Sequence, residues 1–97
     1  MVISGGVNVY PAEVENAIEE HPQVYEAAVV GVPDAEWGER VKAFVVARSG
    51  ERIDAEQLKS FLRERIAGPK IPREYAFIDA LPRNPTGKVL KNELRTR

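Results

Sequence analysis

The chain has 97 residues, 43% hydrophobic and 30% charged, with a formal net charge of −1, the profile of one small soluble globular domain. The near-zero charge argues against nucleic acid or an anionic membrane as a partner, and no apolar run approaches the roughly 20 residues of a spanning helix. With no cysteine and one histidine, disulfides, thiolate nucleophiles and histidine- or thiolate-rich metal centres are excluded, and the composition suits a reducing cytoplasm, where the protein is expected to act.

The first element is a short strand or hairpin segment, Ile3-Ser4-Gly5-Gly6-Val7-Asn8-Val9, whose glycines suit a turn or bulge at positive φ. Pro11 opens a helix with Glu13 and Glu15 near the positive end of its dipole. Val14, Ala17 and Ile18 supply its apolar face, and Pro22 ends it. Glu13 and Glu15 are two apart and do not form a carboxylate pair. His21, at the helix end, is expected to cap the last carbonyls. Residues 24–32 and 41–47 read as antiparallel strands joined by a loop that holds Trp37.

Asp54 and Gln57 have capping-box spacing, and Ile53 with Leu58 matches a hydrophobic staple. Leu58, Phe61, Leu62 and Ile66 give the second helix its inner stripe, and Gly68-Pro69 ends it. Residues 74–78 make a short third strand. Asn84-Pro85-Thr86-Gly87 fits a β-turn, and residues 89–95 a terminal helix with Leu90 and Leu94 inward. The expected fold is α+β: a small, mainly antiparallel three-stranded sheet flanked by helices, with the N-terminal strand or hairpin segment beside it.

Few residues offer chemistry of their own. The Gly87-Lys88 pair lacks the spacing of a phosphate-binding P-loop, and a domain of this size has little room for a deep pocket of about 300 Å³ or more. Lys88 stands out as a flexible point charge presented by a turn, suited to anionic oxygens in a neighbouring cleft. On its own residues it reads first as a solvated lysine.

Taken together, residues 3–15 (ISGGVNVYPAEVE) and 81–91 (LPRNPTGKVLK) resemble the C-terminal domain of the adenylate-forming ligases, most closely the acyl-CoA synthetases, over essentially the whole chain. The resemblance implies that residues 1–97 are a single C-terminal lid domain. A large N-terminal domain, carrying the ATP and acyl sites, and a hinge Asp or Lys are expected upstream. The implied reaction of the full-length enzyme converts a carboxylic (fatty) acid, ATP and CoA to acyl-CoA, AMP and pyrophosphate, with Mg²⁺ on the nucleotide.

In that family the lysine matching Lys88 contacts the carboxylate and the α-phosphate during adenylation. The strand matching Gly5-Gly6 lines the pantetheine tunnel after the small domain rotates. Trp37, Lys70 and Arg73 match positions near the CoA nucleotide in some relatives; edge packing for Trp37 and solvation for the two cations are their plain alternatives. The isolated chain is expected to bind no cofactor and to have no activity. The alternatives are the lid of a peptide-synthetase-type adenylation domain, or a stand-alone interaction module with this fold and no catalysis.

Overall fold

The computed structural model describes residues 1–97, all of them placed. Its elements are β1 (Val2–Ser4), β2 (Val7–Val9), α1 (Pro11–Glu19), β3 (Val24–Asp34), β4 (Gly38–Ala47), α2 (Ala55–Arg63), a 3₁₀ turn (Gly68–Lys70), β5 (Glu74–Phe77) and α3 (Lys91–Arg95). The α+β expectation holds, with a larger sheet. The N-terminal hairpin joins the central strands through Ser4 opposite Gly38, so the sheet has five strands in the order β2-β1-β4-β3, with β5 also on β4. β3 pairs with β4 antiparallel along its length, and β5 runs parallel to β4 from Lys42↔Glu74 to Val45↔Phe77. A parallel neighbour needs a crossover, and α2 is that crossover.

Both faces of the sheet are covered, which is why β3 and β4 are nearly continuous apolar runs. Ala27, Val29, Val41, Ala43 and Val45 pack with Val14 and Ile18 of α1 and Leu58 and Leu62 of α2. The alternate residues, Ala28, Val30, Val32, Phe44 and Val46, meet Leu81 and Leu94 on the other side. The period of two along a strand thus builds two cores from one sheet.

The free edge of β3 is blunted by α1. Glu19 accepts from the Ala27 N–H at 3.1 Å and Glu15 from the Val29 N–H at 2.8 Å. These carboxylates satisfy groups that would otherwise invite another strand.

α2 begins as its sequence predicts. Asp54 accepts from the Gln57 N–H at 2.8 Å, and the Gln57 side chain returns the bond to the Asp54 N–H at 2.9 Å. Two local expectations are corrected. The terminal helix starts at Lys91, because Val89 bridges to Arg83 and the Leu90 N–H is bound by the Pro82 carbonyl. Leu90 is therefore its N-cap residue, and Leu94 alone among its side chains is fully buried.

His21 does not cap carbonyls. Its Nδ1 accepts from the Gln23 N–H at 3.1 Å while the ring lies edge-on to Phe61 at 4.8 Å. Partial burial, and secondarily the Arg65 charge, hold its pKa below the usual histidine value, so the imidazole is neutral near pH 7.

Candidate functional site

Asn84 organises the segment that carries Lys88. Its Oδ1 accepts three bonds: from the Thr86 N–H at 3.1 Å, the Thr86 hydroxyl at 2.7 Å and the Lys88 N–H at 2.9 Å. The Gly87 N–H closes the expected turn on the Asn84 carbonyl at 2.9 Å, and the Asn84 N–H bonds the Lys88 carbonyl at 3.0 Å. Gly87 takes φ +89°, a conformation that L side chains rarely adopt. Arg83 donates to the Gly87 carbonyl at 2.7 Å and pairs with Glu26 of β3, anchoring the loop to the sheet. The backbone of Lys88 is thus held on both sides while its ammonium is exposed and free of any hydrogen bond or ion pair. Lys88 borders an open cleft of about 620 Å³ shared with Asn84, Val89, Leu90, Lys91 and Asn92. The backbone is therefore fixed while the charge remains free to meet an anion.

The second locus joins residues far apart in sequence. Gly5 and Gly6 form the β1–β2 turn at φ +56° and +81°, and the Gly5 N–H bonds the Trp37 carbonyl at 3.0 Å. The indole lies directly over Gly5: a Cβ there would stand 2.3 Å from its Cε3. No side chain fits in that space. Asp34 folds the loop by accepting from the Glu36 and Trp37 N–H groups at 2.9 and 2.8 Å. The Trp37 bond is the main reason its pKa sits below the usual carboxylate value. The Arg73 guanidinium covers the indole, 4.1 Å from the ring centroid.

Gly5, Trp37 and Arg73 are therefore one cluster, while Gly6 lies beside it facing open space. Lys70 is committed elsewhere, paired with Glu13 at 3.0 Å. As expected, Glu13 and Glu15 do not pair: Glu15 holds Lys91 at 2.8 Å.

The two loci stand at opposite ends of the β3–β4 hairpin. Their anchors on β3 are Glu26 and Asp34, eight residues apart (34 − 26), or roughly 26 Å at ~3.3 Å per strand residue. No group of three or more His, Cys, Asp or Glu residues could hold a metal.

Several organising residues escaped the sequence reading. Asn84 was legible only as a turn former, although Asn two residues before a hydroxyl residue is a signal for side-chain capping of a loop. The Arg73–Trp37 stack and the Lys42 bridge have no sequence signature. Lys42, 7% exposed, donates to the Arg97 carbonyl at 3.0 Å and pairs with Glu74 at 3.1 Å, tying α3 to the sheet.

Residues 13–88 match the family described as the AMP-binding enzyme C-terminal domain. The chain is 53% identical over 97 residues to a feruloyl-CoA synthase of an Amycolatopsis species, covering all of this chain and 20% of that protein. It is 53% identical over 96 residues to the fatty acid–[acyl-carrier-protein] ligase ScoC of Streptomyces coeruleorubidus, covering 99% and 18%. Among solved structures, ATP-bound MatB from Rhodopseudomonas palustris superposes with a TM-score of 0.95 at 48% identity, over 99% of this chain and 19% of that one. The chain thus spans about a fifth of the length of the relatives it matches. It belongs to the AMP-binding enzyme C-terminal domain family, the C-terminal domains of adenylate-forming acyl-CoA and fatty-acid ligases.

Proposed function

We propose that residues 1–97 are the mobile lid of an ATP-dependent acyl-CoA synthetase acting in the cytoplasm, and that its two loci serve two half-reactions. In the first, Lys88 places its ammonium between the acid's carboxylate and the α-phosphate of ATP, stabilising the charge that builds as pyrophosphate leaves. In the second, the Gly5-Gly6 turn lines the path of the pantetheine thiol, and Trp37 and Arg73 meet the CoA nucleotide. Lys70 would assist there only after leaving Glu13. ATP and CoA are the substrates, with Mg²⁺ on the nucleotide, and the large N-terminal domain is the partner.

The observation that carries this reading is the separation of the loci. Two loci anchored at Glu26 and Asp34, eight residues apart on one strand, do not meet at one small reaction centre in a single pose. A lid that turns between steps resolves this, since each end of the hairpin then visits the centre in its own half-reaction.

The test uses the full-length protein. Lys88→Ala should slow acyl-adenylate formation by roughly 10²–10³-fold, and should spare thioester formation from preformed acyl-adenylate. Adenylation within a few-fold of wild type would remove Lys88 from the mechanism. A second acceptor, a carrier-protein thiol, is favoured by the 53% identity to a fatty acid–[acyl-carrier-protein] ligase. Acyl transfer to a carrier protein without any to free CoA would select it.

A further inference from the structure

Residues 83–91 hold three cations, Lys88 with Arg83 before it and Lys91 after it. The outer two are paired. Arg83 binds Glu26, and Lys91 binds the Glu15 Oε2 at 2.8 Å. That same oxygen accepts from the Val29 N–H at 2.8 Å. Only 19% of the Glu15 side chain and 17% of the Glu26 side chain are exposed, so water and salt screen these pairs less than a free surface pair.

Both pairs end on one strand. Glu26 belongs to β3, and Glu15 is fixed to β3 through Val29, three residues along (29 − 26), or roughly 10 Å. The Lys88 segment is therefore tied to β3 ahead of the lysine by Arg83 and behind it by Lys91. The rear tie acts on α3, which has five residues and no side-chain cap and is too short to hold its own position. Leu94 and the Arg97 carbonyl secure its far end, and Lys91 secures the end beside Lys88. Lys91 also borders the Lys88 cleft, but Glu15 meets its charge. Lys88 is left as the one uncompensated charge among the residues lining that cleft.

We propose that Glu15 and Lys91 are positioning residues for adenylation: their ion pair fixes against β3 the backbone that carries Lys88, and so sets where its ammonium meets the carboxylate and the α-phosphate. The inference rests on the adenylation role proposed above for Lys88 and extends it to two residues outside the Lys88 turn. A lysine stem is flexible, so its ammonium is aimed only as well as its backbone is held. A reaction that depends on alignment is slowed by small displacements of the aligned group.

The experiment measures the two half-reactions of the full-length protein separately: pyrophosphate release with acid and ATP, and thioester formation from preformed acyl-adenylate and CoA. Lys91→Met should slow the first about tenfold relative to the second. Lys91→Arg, which can still bind the carboxylate, should recover most of that loss. Glu15→Gln removes the charge while keeping an acceptor for the Val29 N–H, and should slow adenylation to a similar degree. The double variant should be no slower than Lys91→Met alone, since either change breaks the same pair.

A fold defect slows both half-reactions alike, and Asp54→Ala, which weakens the α2 cap instead, supplies that comparison. A ratio of half-reactions within about twofold of wild type in both single variants overturns the proposal, as do losses that add in the double variant. Lys91→Arg as slow as Lys91→Met overturns it too. Slow adenylation in Lys88→Ala with a normal ratio in Lys91→Met refutes this inference alone. Normal adenylation in Lys88→Ala refutes the role of Lys88 itself, and this inference with it.

Discussion

Gly5 shows how the fold can demand glycine twice at one position. Its φ of +56° and the indole 2.3 Å from any added Cβ make two separate demands for glycine. Gly5→Ala should therefore cost about 1–2 kcal/mol, from left-handed strain and displacement of the ring. Trp37 is the sole tryptophan, so its emission reports the change directly. A red shift with a lowered urea midpoint is expected, and an unchanged spectrum would mean that the ring does not rest on Gly5. At the other locus, the turn formed by Asn84, Pro85, Thr86 and Gly87 was legible from composition. The three bonds gathered by the Asn84 side chain all lie within residues 84–88 and were missed although their signal, an Asn two residues before a hydroxyl residue, is local.

Among the elements, α2 was the most completely readable, since its signals are local. The capping box spans residues 54–57 and needs nothing from the rest of the chain. Asp54→Ala should lower stability by about 1 kcal/mol, as loss of an N-cap does. The denaturation midpoint of the 97-residue chain measures this, and a change below a few tenths of a kcal/mol would show that the cap is dispensable. The terminal helix was misread at its start for the opposite reason. Val89 and Leu90 have a helical pattern with Leu94, but pairing with Arg83 and Pro82 across the intervening turn draws them into a bridge instead. The parallel pairing of β5 was equally hidden, because four residues of alternating character do not state their direction.

For the whole molecule, the perturbed groups predict acid sensitivity in two stages. His21 has a lowered pKa in the fold, so between that value and ~6.5 the unfolded chain binds more protons than the native one. Stability should begin to fall as pH drops below about 6.5. Glu74, lowered chiefly by the Arg40 hydrogen bond and next by Lys42, and Asp34, lowered chiefly by the Trp37 N–H, contribute stability above their ordinary carboxylate values. Both contributions should be lost below about pH 4 as these groups protonate. Unfolding free energy measured from pH 8 to pH 3 should show both declines, and His21→Asn should flatten the first. A flat profile between pH 7 and 5 in the wild type would contradict the neutral imidazole.

The sequence alone determined the α+β class, the central antiparallel pair, the α2 cap, the turn before Lys88 and the family resemblance, because each rests on periodicity or on residues close in the chain. Only the tertiary structure decided that the N-terminal hairpin joins the sheet and that Gly5, Trp37 and Arg73 form one cluster. It also set that cluster and the Lys88 loop at opposite ends of one hairpin. Those facts depend on which distant side chains meet when both faces of the sheet are buried, and contacts between residues tens of positions apart leave no pattern in the order of the residues.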